Sequence, residues 1–214
     1  MRRWRLSIAL VVMPLMCSAD PAPLSIDLAD TAALREGAQT FSRYCMGCHG
    51  TRLQRYERVA DDLGIPHDSM LNSLAVPGAT IGDHMTTALR EADARQWFGA
   101  VPPDLTLAAR VRGPDWLYRY LTGFYDDPAR PLGVNNALVP NVAMPDVLAG
   151  LRQQQTPQQF DASVRNLVAF MAYSAHPAAV RSQRIGTYVL LYLGLFLVLV
   201  YALKREYWKD VDRN

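Results

Sequence analysis

The chain has 214 residues, of which half are hydrophobic, and its formal net charge is +2. This length suits one modest domain with accessory segments. The basic excess lies at the two ends, because residues 20–184 carry 15 arginines and no lysine against 17 acidic residues. Nucleic-acid binding, which needs a basic surface, is therefore excluded for this slightly acidic middle part.

The first 19 residues have the pattern of a secretory signal peptide. Three arginines precede the uncharged, apolar residues 6–16, and small residues suit cleavage after Ala19. The apolar run, of about 11 residues, is too short to cross a bilayer core of about 30 Å. The alternatives are an uncleaved anchor and a lipoprotein site at Cys17, and bulky Met16 argues against the second. We predict that residues 1–19 are removed and that the domain after them is exported.

Apolar periodicity predicts a mainly α-helical domain with long loops, and no strand pattern is evident. Asp30 can cap a first helix whose apolar residues, from Leu34 to Cys45, recur at helical spacing. Gly47 should end this helix, and residues 50–80 are predicted to be irregular. The first helix therefore presents Cys45 at its C-terminal end.

Four further helices are predicted from the same periodicity and from the positions of prolines. They are residues 81–97, a segment after the turn at 101–104, a segment opened by Pro114, and Phe160 to Tyr173 after Thr156-Pro157. In the helix opened by Pro114, four residues are expected to face inward: Trp116, Leu117, Tyr120 and Leu121. Residues 126–146 are rich in Pro, Gly and Asn and are predicted to form a long loop.

The segment Cys45-Met46-Gly47-Cys48-His49 has the C-x-x-C-H spacing by which a c-type haem is attached. Two thiols three residues apart can each form a thioether with one vinyl group of the same porphyrin, and the imidazole that follows can ligate its iron. A thioredoxin-like redox pair would need a preceding strand, where we predict a helix, and a zinc site would need more Cys or His at ligand spacing. The sequence therefore predicts one covalent haem c on Cys45 and Cys48, with His49 as an iron ligand.

The second axial ligand has several candidates by residue type: Met70, Met85, Met144, Met171, His67, His84 and His176. Met144 differs from the other methionines because it lies in the long loop beside Pro145 and not on a predicted helix face. A thioether on a stiff loop can close over the far side of a haem, whereas His67 and His84 remain open as alternatives. Ligation by His and Met would raise the reduction potential and fill the sixth position, which favours electron transfer over ligand binding.

Residues 185–203 are apolar and uncharged and predict a transmembrane helix. At 1.5 Å per residue they span about 28 Å, and tyrosines near the ends suit the membrane interfaces. A buried core helix, the alternative, is rarely so apolar on all faces. Because the N-terminus is exported, residues 204–214 should be cytoplasmic, where their basic residues fit the positive-inside rule. We predict a single-pass protein of the bacterial inner membrane with residues 20–184 on the periplasmic side.

Further segments accompany the haem motif in a fixed order from about residue 30 to 210. They are WFGAVPPDLT at 97–106, DWLYRYLTGFYDDP at 115–128, PNVAMP at 140–145, and MAYSAHP at 171–177, followed by the apolar span and KREYWKD. Together with CMGCH, these segments resemble the cytochrome c1 family, the haem subunit of the cytochrome bc1 complex. The resemblance implies a cytochrome c-like haem domain with one C-terminal membrane anchor.

The resemblance also implies roles for residues outside the C-x-x-C-H motif. Met144 would be the sixth iron ligand. Arg112 matches the arginine that binds a haem propionate, and Arg110, two residues away, is an alternative for that role. Trp116 would line the haem as an aromatic wall, and the two prolines of the PPDL segment would shape the wall beside it.

By the same resemblance, the chain would be an electron-transfer subunit of a quinol:cytochrome c oxidoreductase. It would take an electron from the Rieske iron–sulfur subunit, assembled with cytochrome b in a dimeric complex, and pass it to a soluble c-type cytochrome. The enzyme activity would belong to the whole complex, since no residue of this chain would act as an acid, base or nucleophile. The alternatives are a stand-alone membrane-anchored c-type electron carrier and a haem sensor or peroxidase with an open sixth position.

Overall fold

The computed structural model describes residues 24–209, so the predicted signal peptide, Cys17 and residues 210–214 lie outside the described residues. The described part is mainly helical, as the sequence predicts. Its elements follow in this order: α1 (Thr31–Tyr44), β1 (Thr51–Arg55), α2 (Tyr56–Leu63), α3 (His67–Ser73), β2 (His84–Met85), α4 (Glu91–Phe98), α5 (Ala108–Arg112), α6 (Pro114–Thr122), β3 (Phe124–Asp126), β4 (Val134–Asn136), α7 (Ala149–Gln154), α8 (Pro157–Ala175) and α9 (Ala179–Tyr207).

Helices α1 and α8 pack together at the centre of the core. The Asp30 carboxylate caps α1 by accepting hydrogen bonds from two backbone N–H groups, and Thr156 opens α8 with a capping box. The rings of Phe41 on α1 and Phe170 on α8 lie 5.5 Å apart, and both side chains are fully buried. Both helices begin close to where the sequence predicts, because a capping residue and a long apolar period mark each of them.

The region between α1 and α5 differs from the prediction. Residues 50–80 are not irregular, and residues 81–97 do not form one helix. Strand β1 pairs antiparallel with β2, so that Thr51 lies opposite Met85, and α4 begins only at Glu91. This pairing joins segments that are far apart in the sequence, and such tertiary contacts override the local helical period around Met85.

The sequence analysis also does not predict several short elements, among them β3, β4 and α2. Strands β3 and β4 form a second antiparallel pair, with Phe124 opposite Asn136, inside the region predicted as a loop. Helix α2 has eight residues and ends at Gly64, which adopts the left-handed conformation with φ 61°. Elements of this length span about two turns or fewer, so periodicity alone does not reveal them.

Helix α9 is the one helix within residues 24–209 that is long and apolar enough to cross a membrane. It extends from Ala179 to Tyr207, beyond both ends of the predicted segment 185–203, and its mean hydropathy is 2.2 over the most apolar window. None of its residues is buried by the rest of the protein. A continuous apolar surface of this size is unfavourable in water, which fits the prediction of a C-terminal membrane anchor.

We expect Gly37→Ala to lower the stability of the protein, because Gly37 is where α1 and α8 approach most closely. A Cβ atom at this position would lie 2.0 Å from the backbone carbonyl oxygen of Asn166 on α8. Overpacking of this kind typically costs about 1–3 kcal/mol, and thermal unfolding followed by circular dichroism should show a midpoint lower by several degrees.

Gly150→Ala is the matched control for this substitution. A Cβ atom there would meet nothing within 4 Å, and Gly150 lies in helix α7. Alanine is the better helix former, so the midpoint should stay unchanged or rise slightly. Equal effects of the two substitutions would contradict the close approach of α1 and α8.

Candidate haem site

The main cavity of the described structure has a volume of about 730 Å³. It lies between the end of α1, helices α5, α6 and α8, and the loop around Met144, and most of its lining is apolar. All six site residues predicted in the sequence line it: Cys45, Cys48, His49, Arg112, Trp116 and Met144. The fold therefore brings together residues that are up to 99 positions apart in the sequence.

The C-x-x-C-H segment forms a tight turn at the C-terminal end of α1. The N–H groups of Cys48 and His49 both donate to the Cys45 carbonyl, at 3.0 and 2.8 Å. Both thiols are free. Burial, with a smaller contribution from the neighbouring Cys48, raises the pKa of the Cys45 thiol to about 12. The alternative of a zinc site lacks further ligands, because the described residues contain no group of three or more His, Cys, Asp or Glu placed to hold a metal ion.

The His49 side chain is oriented by a backbone carbonyl. Its Nδ1 lies 2.7 Å from the carbonyl oxygen of Pro103, so Nδ1 carries the proton and Nε2 keeps its lone pair for a ligand. Burial lowers the pKa of His49, although the Pro103 carbonyl and the charge of Asp104 act in the opposite direction. The imidazole is therefore neutral near pH 7, which is the form that binds a metal.

The Pro103 carbonyl is itself held in place by Asp104. The Asp104 carboxylate accepts hydrogen bonds from the N–H of Arg52 at 2.8 Å and from the N–H and hydroxyl of Thr106. These bonds tie the PPDL segment to the residues that directly follow His49. From the sequence alone the prolines receive only a place in the wall, because the motif does not show which carbonyl contacts the imidazole.

Met144 lines the cavity from the loop before α7. Its Sδ lies 3.5 Å from the hydroxyl of Tyr120, which donates a hydrogen bond to it. Of the other candidates for the second axial position, Met171 on α8 also lines the cavity and is buried. The remaining candidates do not line it: Met70, Met85, His67, His84 and His176. The structure thus reduces the candidates to Met144 and Met171.

Arg112 and Trp116 lie together at the cavity wall. The Arg112 guanidinium lies over the Trp116 ring, 5.1 Å from its centre, and Trp116 in turn stacks on Tyr120. Within residues 24–209 the Arg112 side chain makes no hydrogen bond or ion pair with the protein. Arg110 does not line the cavity, so the geometry favours Arg112 for an anionic group bound there.

These residues fit a c-type haem. The cavity volume lies in the range of about 300–1,000 Å³ that is usual for cofactor pockets. Its lining supplies two free thiols, an imidazole with a free nitrogen, a thioether and a cation for a carboxylate. The mostly apolar remainder of the lining suits the faces of a porphyrin.

A comparison with known protein families matches residues 25–211 to the Cytochrome C1 family. The chain belongs to this family. It is 44% identical over 214 residues to a cytochrome c1 from Allochromatium vinosum, covering 87% of this chain and 88% of that protein. It is also 40% identical to a protein of Nitrosomonas europaea named ammonia monooxygenase gamma subunit, covering 90% of this chain and 88% of the relative.

A solved structure titled hyperthermophilic respiratory complex III has the same fold as this cytochrome c1. The TM-score is 0.52 at 20% identity, and the match covers 89% of this chain and 80% of the other. Family membership confirms the predicted haem c, which is covalently bound in cytochromes c1. It also confirms that the chain is an electron-transfer subunit of a cytochrome bc1 complex. Cytochrome b and a Rieske protein are the other subunits expected in that complex. The roles of the individual site residues stay predictions.

We expect Asp104→Ala to loosen the haem pocket, because it removes the acceptor that holds the PPDL segment. The loss of these hydrogen bonds should cost roughly 1–3 kcal/mol, and His49 should be less firmly oriented. The measurements are the thermal midpoint and the yield of haem covalently attached to the chain. Asp126→Ala is the control, since the Asp126 carboxylate is exposed and makes no hydrogen bond within the described chain. An equal loss in both variants would argue against the role of Asp104.

Proposed function

We propose that this cytochrome c1 accepts one electron from the Rieske iron–sulfur protein and passes it to a soluble c-type cytochrome on the periplasmic side of the membrane. This proposal rests on one observation. A single, mostly apolar cavity is lined by the cysteines and the histidine of the C-x-x-C-H motif, by Met144 and by Arg112. The signal-peptide pattern of residues 1–19 and the apolar helix α9 support the location outside the cytoplasm.

Each cavity residue has one proposed task. Cys45 and Cys48 hold the haem by thioethers, His49 and Met144 ligate its iron, Arg112 binds a propionate, and Trp116 forms a wall. The haem supplies a one-electron iron couple, whose potential is set by its axial ligands and by burial. The chain keeps the cavity apolar and holds the His49 imidazole neutral, so a haem bound there would lie in an environment of low dielectric constant.

Proton transfer by a side chain has no part in this proposal. His49 is engaged by Pro103, and the Asp104 carboxylate is used by three hydrogen bonds. In the proposed roles neither group is a base, because Nε2 of His49 would be taken by the iron and the Asp104 carboxylate would hold the PPDL segment in place. The quinol oxidation that completes the enzyme activity therefore belongs to the assembled complex, which we propose to be dimeric.

We expect Met144→Ala to remove the sixth iron ligand. The ferric protein should then lose the weak absorption band at the red end of the visible spectrum that a methionine sulfur gives, and it should become high-spin. Met171→Leu conserves volume and removes the only other thioether found in the cavity lining, so its spectrum should remain that of the unaltered protein. A band that survives in Met144→Ala and disappears in Met171→Leu would show that the ligand was assigned to the wrong methionine.

We expect cytochrome b and a Rieske protein to purify together with this chain. The protein would be isolated from its native membrane in mild detergent through a tag at the C-terminus, beyond α9, and its subunits identified by mass spectrometry. Quinol-dependent reduction of an added soluble c-type cytochrome by this preparation would test the electron path. A haem protein that purifies alone under these conditions would instead support the stand-alone electron carrier.

A further inference from the structure

Four side chains, each four positions after the one before, form a column, and the first three of them line the cavity. The Arg112 guanidinium lies over Trp116, Trp116 stacks on Tyr120 with ring centres 5.0 Å apart and planes 7° from parallel, and Tyr120 meets the Phe124 ring edge-on at 5.4 Å. Stacked and edge-on contacts of this kind stabilise one ring orientation. Tyr120 lies in the middle of the column, so its ring is held from both sides.

The Tyr120 hydroxyl makes one hydrogen bond within residues 24–209, and its acceptor is Sδ of Met144, 3.5 Å away. A phenol O–H is a hydrogen-bond donor, so the Tyr120 hydroxyl can donate to this sulfur. A thioether sulfur has two lone pairs and is only a weak acceptor. It can therefore bind iron through one lone pair and still accept the hydrogen bond through the other.

Asn136 connects Tyr120 to the loop that carries Met144. Its side chain is 1% exposed, and its Nδ2 donates to the Tyr120 carbonyl at 2.7 Å. Its Oδ1 accepts from the N–H groups of Leu138 and Val139, at the start of the same loop. One buried amide thus fixes both the helix that presents the phenol and the loop that presents the thioether.

The loop is fixed a second time close to Met144. The Asn135 side chain accepts a hydrogen bond at 2.9 Å from the N–H of Asn141, which has a positive φ of 63°. Arg130 also donates to the side chain of Asn141 at 2.9 Å. These bonds hold the loop without the Tyr120 hydroxyl. Removal of that hydroxyl should therefore change only the hydrogen bond to the Met144 sulfur and not the path of the loop.

We propose that Tyr120 is a positioning residue whose hydroxyl, by donating a hydrogen bond to Met144 Sδ, orients the thioether and raises the reduction potential of the iron. This inference rests on the proposed ligation by Met144. A hydrogen bond to the sulfur withdraws electron density that the sulfur would otherwise donate to iron. Ferric iron needs that density more than ferrous iron does, so the bond favours the reduced state.

The test is Tyr120→Phe in the full-length, haem-loaded protein, because phenylalanine keeps the ring column and removes only the hydroxyl. The midpoint potential would be measured by redox titration of the haem absorbance. At the midpoint potential of the unaltered protein, the ratio of reduced to oxidised haem in Tyr120→Phe should be about two- to fivefold lower. A change of this size is expected for the loss of one ordinary hydrogen bond. The red absorption band of methionine ligation should persist.

Tyr118→Phe is the matched control on the same helix. The Tyr118 hydroxyl donates to Asp161 on α8, and Tyr118 does not line the cavity. The same chemical change there should leave the potential unaltered. Equal shifts in both variants, or an unchanged potential in Tyr120→Phe, would overturn the proposal. Tyr120→Leu removes the ring as well, and an effect seen only in that variant would show that Tyr120 acts through packing alone.

A measurement on the unaltered protein tests the contact without any variant. In the ferrous, diamagnetic state, a nuclear Overhauser contact between the Tyr120 ring and the Met144 methyl group is expected, and its absence would overturn the proposal.

Failure of the proposed ligation by Met144 gives a different result, because the red absorption band would then survive in Met144→Ala. A red band that depends on Met144, with a potential indifferent to the Tyr120 hydroxyl, would refute only the role of Tyr120.

Discussion

The packing of helix α1 against helix α8 is the contact on which the haem site depends. Gly37 has no side chain, so the two helices approach until the position of its missing Cβ nearly meets the backbone of α8. Phe41 and Phe170 fill the space beside this point. Since α1 ends at Tyr44, directly before the attachment motif, and α8 contributes Met171 to the cavity lining, this one contact positions two parts of the lining relative to each other. Close-packed interiors transmit a change at such a point over the whole interface.

The two sides of the cavity are held by different means. On the side of the motif, His49 is oriented by the Pro103 carbonyl, and charged hydrogen bonds to Asp104 hold that segment in turn. On the other side, Met144 is carried by a loop that buried asparagines fix to helix α6. A site that keeps its geometry between two oxidation states suits one-electron transfer, because little has to move when the charge changes.

The connection between α8 and α9 has consequences for the working complex. Helix α8 ends at Ala175 and α9 begins at Ala179, so three residues join the core of the haem domain to the apolar helix. Even fully extended, three residues reach only about 10–11 Å. In a cytochrome bc1 complex this short link would keep the haem domain close to the membrane surface.

The haem-attachment motif and the elements with strong sequence signals could be predicted from local chemistry alone. The C-x-x-C-H spacing, the capped helices α1 and α8, Pro114 at the first turn of α6 and the apolar segment 185–203 all depend on residues close together in the chain, so their meaning can be read without a structure. The place of Met144 in the long loop beside Pro145 singles it out among the candidates, the resemblance of the PNVAMP segment adds to this, and its role as the sixth ligand is still a prediction.

Only the tertiary structure determines which residues contact one another around the cavity. The pairing of β1 with β2, the carbonyl that orients His49, the choice of Arg112 over Arg110 at the cavity wall and the hydroxyl beside Met144 all join residues that are distant in the sequence. Periodicity and motif spacing describe one segment at a time, and they contain no information on which segments become neighbours. That information arises only when burial of the apolar faces of α1 and α8 brings the segments together, so that buried polar groups such as the Asn136 amide find partners in other segments.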